Sequence, residues 1–212
     1  SVQNASFIGN NATNGGGIIV QNVTTKLSIN TVIFINNAAK LSNGGGILAE
    51  LISKFSIQNS VFIGNNAANG GGIVVHHVRI RLIIHRVIFI NNAALQNERK
   101  NNKHNNRGGG MQIEWISKCT VQHSVFLGNQ AAYGAGIYAW YGLIKLSIKT
   151  VKFINNFASH SSGGISMGHI TNCSVQKSYF IENRAKYQGG GAIINIFEEL
   201  YYFNCVLFSN GI

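Results

Sequence analysis

Residues 62–73 read FIGNNAANGGGI, and recognisable copies of this stretch recur along the whole chain. Keyed on the phenylalanine, they begin at Phe7, Phe34, Phe62, Phe89, Phe126, Phe153, Phe180 and Phe208, at intervals of 27, 28, 27, 37, 27, 27 and 28 residues. Three residues after each Phe stands Asn10, Asn37, Asn65, Asn92, Asn129, Asn156 or Asn183, and five after it an alanine; the copy at Phe208 lacks both. A glycine cluster follows, closed by Ile18, Ile47, Ile73, Met111, Ile137, Ile165 or Ala192. From the last glycine to the next Phe the count runs 17, 16, 17, 16, 17, 16, 17, so the true period is a pair of slightly different units. Such self-similarity marks a repeat architecture in which each unit buries its core only by stacking on its neighbours.

The pattern inside one unit selects strands over helices. Ile18 and Val20, Leu27 and Ile29, then Val32 and Phe34 alternate with polar residues in three short runs bounded by Asn, Gly, Thr or Ser. Period two with β-branched residues is strand-like. The expectation is an all-β, right-handed parallel β-helix of about seven to eight three-stranded coils with 27–28 residues per coil, one repeat domain over residues 1–212. At about 4.8 Å per stacked strand, seven turns make a rod roughly 35 Å tall. In that frame Phe stacks on Phe, the asparagines form a hydrogen-bonded ladder, and the glycines allow positive φ at a corner and close approach between coils. A phosphate-cradling role for the glycines is disfavoured, because each cluster leads into a strand and not into a helix.

Composition narrows the function classes. With 17 Lys and Arg against 6 acidic residues, all glutamate, the net charge of +11 favours anionic partners such as acidic polysaccharide or an anionic cell surface. Proline is absent and asparagine abundant, which suits stacked turns. Cys119, Cys173 and Cys205 show no metal-binding spacing, and the first two read as small core residues two coils apart; no metal and no cofactor are expected. No run is apolar enough to span a membrane, and the chain starts without Met or a signal peptide. The one long interval holds a basic insertion at about 95–107, LQNERKNNKHNNR, in which Arg99, Lys100, Lys103 and Arg107 outnumber Glu98. Solenoids carry such insertions as surface loops, often on a binding face.

The F-x-x-N half of the repeat, matched by FIGN, FINN, FLGN and FIEN, joined to glycine clusters of the GGGI, GAGI, SGGI and GGAI forms, resembles the passenger domains of chlamydial polymorphic membrane proteins. Those are surface adhesins carried on autotransporters. The resemblance implies a β-helix, an extracellular or cell-surface location and an adhesive role.

Stacking converts registers into columns. Eight residues before the marker Phe stand Lys26, Lys54, Arg81, Lys118 and Lys145, predicted to face outward with a Ser/Thr column beside them. They either fan into water and blunt aggregation or offer a cationic, hydroxyl-bearing face to a linear polyanion. Four residues after the last glycine come Gln21, Glu50, His76, Glu114 and Trp140. Two carboxylates about a histidine are the best enzyme-like arrangement available, for a polysaccharide-degrading site; the alternative is a salt-bridge stack holding a protonated His76. Tyr133, Tyr138, Trp140 and Tyr141, with Trp115, form an aromatic platform suited to sugar rings or single-stranded nucleic acid.

Finally, if Phe34 and its equivalents face inward, then Ile33, Ile35, Val61, Ile63, Ile88, Ile90, Val125 and Leu127 face outward and leave one side apolar. The leading expectation is therefore a non-enzymatic structural or adhesive β-solenoid that associates with itself, as dimers through this side or as filaments through stacked ends. Polyanion binding ranks second and polysaccharide degradation third.

Overall fold

The computed structural model describes residues 1–95, 106–208 and 210–211, without the side chains of residues 41, 143 and 196–208. Among these residues every element is a β-strand, and every pairing between successive coils is parallel. The chain is a β-solenoid of about seven turns. Its strands fall into two sheets, one of thirteen and one of seven. In one coil, Ile47–Gln58 supplies two sides, Val61–Ile63 the third, and Asn66–Asn69 a further short side. That last side is the row of alanines, whose strands stack into the seven-stranded sheet.

The expected registers hold through the body. Phe7, Phe34, Phe62, Phe89, Phe126, Phe153 and Phe180 are direct partners coil to coil. Their rings stack nearly parallel at centroid distances of 4.6 to 5.1 Å. The glycine-to-Phe spacing now has a cause, because a Cβ on Gly46 would stand 2.9 Å from the Phe62 ring and 2.6 Å from the Gly72 carbonyl oxygen. Only a residue without a side chain lets that ring close the coil interior.

The alternation of 16 and 17 is a bulge at the corner between the first two sides. Two residues, Thr24 and Thr25, separate Val23 from Lys26, whereas Ser53 alone separates their partners Ile52 and Lys54. The next coil reverts to two, Arg79 and Ile80. Each bend is otherwise held by a left-handed residue, as at Leu51, His77, Trp115, Tyr141 and His169, all with positive φ.

The asparagine ladder is continuous and buried. Asn65 donates from Nδ2 to Asn92 Oδ1 at 2.9 Å and to the Phe34 carbonyl at 3.0 Å, and its own Oδ1 accepts from the Asn37 backbone N–H and Nδ2, both at 3.0 Å. The pattern repeats from Asn10 through Asn37, Asn65, Asn92, Asn129 and Asn156 to Asn183. One sequence reading needs correction here. Phe208 is not the last marker: Phe180 pairs with Leu207, Asn172 with Glu199 and Cys173 with Leu200, after register shifts in the last strand. Asn210 consequently takes the next rung, accepting from Asn183 Nδ2 at 3.0 Å.

Replacing Asn92 by Ala should strand the Asn65 amides and the Phe62 carbonyl in a dry interior, at a cost of about 3 kcal/mol or more. The exposed Asn66→Ala change should cost under about 0.5 kcal/mol. Urea denaturation of the two variants measures the difference, and equal midpoints would contradict the ladder's role.

Candidate functional site

Four outward-facing columns carry the side chains singled out by sequence. The carboxylate–histidine column forms as expected, with Gln21 against Glu50, Glu50 against His76, His76 against Glu114 and Glu114 against Trp140. Each carboxylate is tied down, however: Gln21 Nε2 donates to Glu50 at 2.7 Å and Gln112 Nε2 to Glu114 at 2.9 Å, while Arg107 Nη1 lies 3.6 Å from Glu114. His76 sits 3.8 Å from Glu50 and 3.7 Å from Glu114, beyond hydrogen-bond reach. Burial lowers its pKa, and this outweighs Glu114 and then Glu50, which raise it. The lowered pKa favours a neutral imidazole over the protonated one of a salt-bridge stack, and its Nε2 finds no hydrogen-bond partner among the described residues.

The cationic column is also in place. Lys26, Lys54 and Arg81 are successive partners and Lys118 pairs with Lys145, all five exposed. The accompanying hydroxyls are less open than expected, since Ser56 is only 5% exposed and donates to Ser28 Oγ at 3.3 Å. Lys145 borders a shallow hollow of about 410 Å³ lined by Ser147, Asn172, Ser174 and Gln176. Arg99, Lys100 and Lys103 lie outside the described residues. Arg107 does not join this column; it leaves the loop to pair with Tyr133 and sit over the Tyr138 ring at 5.0 Å.

On the third side, Ile33, Val61, Ile88 and Val125 form one outward column and Ile35, Ile63, Ile90 and Leu127 a second. The second runs further than the sequence reading took it, from Ile8 through Ile154 to Ile181, apolar in seven successive coils. Ile8, Ile33 and Ile88 are the most open, at 61, 39 and 38%.

The aromatic residues are divided between two places. Trp115 and Tyr141 occupy left-handed bends and stack in an exposed pile with His77 and His169, at 6.1, 6.1 and 5.2 Å between successive rings. Tyr133, Tyr138 and Trp140 wall an open cleft of about 490 Å³ that Arg107 and Tyr141 also line, so Tyr141 belongs to both places. Sequence reasoning found these rings but not the cleft, whose other components, among them His160, Ser161, Ser166 and Gln188, come from later coils.

The His76 environment makes a checkable statement. Because its folded-state pKa lies below the ordinary 6.5, His76 contributes stability that is complete above that pH and is lost as pH falls through the lowered value. In an NMR titration its ring should protonate below pH 6.5, and Glu50→Gln with Glu114→Gln should lower the midpoint further. A midpoint above 6.5, or a rise in the double variant, would refute the neutral assignment. Compared with known protein families, curated proteins and solved structures, the chain matches none, so its own side chains carry the functional reading.

Proposed function

We propose that the protein is a non-enzymatic structural or adhesive β-solenoid, of the cell surface or extracellular space, that associates with a second copy of itself through its apolar side. The supporting observation is the outward column Ile8, Ile35, Ile63, Ile90, Leu127, Ile154 and Ile181, flanked by Ile33, Val61, Ile88 and Val125. Contiguous exposed apolar surface of this kind marks an interaction face. Its ridges repeat once per coil, at about 4.8 Å. A second copy presents the same spacing, so ridges of one can settle between ridges of the other along the full height. The non-enzymatic part rests on the two carboxylates, each occupied by an amide partner.

Light scattering on the native protein should give a particle of two or more chains. Ile33→Lys, Val61→Lys and Ile88→Lys together should weaken association at least ~100-fold, since an ammonium buried without a partner is strongly unfavourable. A monomeric parent, or an unchanged mass for a folded triple variant, would refute the proposal.

A second reading, binding of a linear polyanion such as acidic polysaccharide or an anionic cell surface, is favoured by the five exposed cations in successive coils. Retention on heparin should survive about 0.15 M salt, and Lys54→Gln with Lys118→Gln should lower the elution salt. Elution of the parent below that concentration would remove this reading.

A further inference from the structure

The cleft beside Trp140 is built by one recessed coil. Three neighbouring columns each run large, small, larger: Tyr133, Ser161 and Gln188; Tyr138, Ser166 and Ile193; Trp140, Gly168 and Asn195. The small residues share a coil, so the surface there drops between two raised walls. Ser161 and Ser166 lie on the floor, 5 and 4% exposed. A Cβ on Gly168 would stand 2.6 Å from the indole of Trp140, so the glycine lets that ring lie down over the recess. The Tyr138 and Trp140 rings are stacked beside the recess, 5.5 Å apart and 12° from parallel.

We propose that this cleft binds a single pyranose unit bearing a carboxylate, such as a uronic acid residue of a glycan. The two walls belong to coils two steps apart, about 9.6 Å between backbones, a slot suited to one flat-sided ring. The C–H face of a sugar packs on an aromatic wall, while its hydroxyls need mixed donors and acceptors. Ser161, Ser166, Gln188 and Asn195 supply these, and burial keeps the Tyr138 phenol protonated by pushing its pKa up. No carboxylate lines the cleft among the described residues, whereas Arg107 lines it with a guanidinium that keeps further donors beyond the Nη1 lying 3.6 Å from Glu114. That asymmetry selects an acidic sugar over a neutral one. The site is separate from the apolar side and from the cationic column, so its test is independent of both.

With Trp115 replaced by Phe, so that Trp140 alone reports, fluorescence is titrated with methyl glucuronide, methyl galacturonide, methyl glucoside and uridine monophosphate. At least one uronide should saturate the signal at millimolar concentration, and the glucoside should bind at least ~5-fold more weakly. Arg107→Gln should erase that preference. Ser166→Tyr, which continues the large residues of its column and fills the recess, should abolish binding without changing the far-ultraviolet circular dichroism. Failure of both uronides to saturate, equal affinity for the glucoside, tighter binding of the nucleotide, or unimpaired binding by folded Ser166→Tyr would each overturn the proposal.

Discussion

A parallel solenoid must turn its chain several times per coil, and each turn leaves amide groups without strand partners. At the sharpest of these turns the problem is met by one buried side chain, the asparagine three residues after the marker Phe. Asn129 shows the economy of the arrangement: its Nδ2 reaches both Asn156 Oδ1 and the Phe89 carbonyl, while its Oδ1 receives the Asn92 backbone N–H. A buried polar group left unpaired costs more than a paired one gains, so the ladder acts mainly by excluding other registers. With the asparagines fixed vertically, the phenylalanines three residues earlier are fixed as well, and the aromatic stack follows.

The same constraint accounts for the two-coil period. Ser60, Ser124 and Ser178 alternate with Val32, Val87 and Val151 in one buried column, and each serine Oγ accepts the backbone N–H of the valine in the preceding coil. At the next bend glycine alternates with asparagine, because Gly64 and Gly128 leave room for the side-chain oxygens of Asn36 and Asn91. Polar and apolar, large and small thus interleave coil by coil, giving denser packing than identical repeats would.

Columns were legible in the sequence because parallel in-register stacking maps a period directly onto space. Lys26 over Lys54, Glu50 over His76 and Ile35 over Ile63 needed only counting. What counting could not supply was anything set by a local shift. The extra residue at Tyr201 is taken back by an opposite slip between Asn204 and Cys205, which puts Leu207 in the last marker position and hid Asn210, since no residue type announces a bulge. The charge of His76 depends on how far burial outweighs two carboxylates, a balance not written in residue identities. The recess escaped notice because it consists of smallness: Ser161, Ser166 and Gly168 look unremarkable until their coil is seen between larger neighbours. Arg107, read as part of a basic loop, serves the aromatic wall instead.

The ladder's bonds from one asparagine side chain to the next all run one way, while each Nδ2 also donates back to a Phe carbonyl of the preceding coil. Asn37 accepts from Asn10, Asn65 from Asn37 and so on to Asn210, so every side-chain carbonyl points toward the lower-numbered coil. Backbone bonds run both ways, as where Gly16 donates forward to Gly44 and Ala38 backward to Asn10, and so partly cancel, although Gly15, Gly16, Gly17 and Ile18 in succession all donate forward. The side-chain amides do not cancel. The buried ladder is therefore polar along the rod axis, its carbonyl oxygens facing the lower-numbered coils and the amide hydrogens that meet them facing the higher-numbered ones.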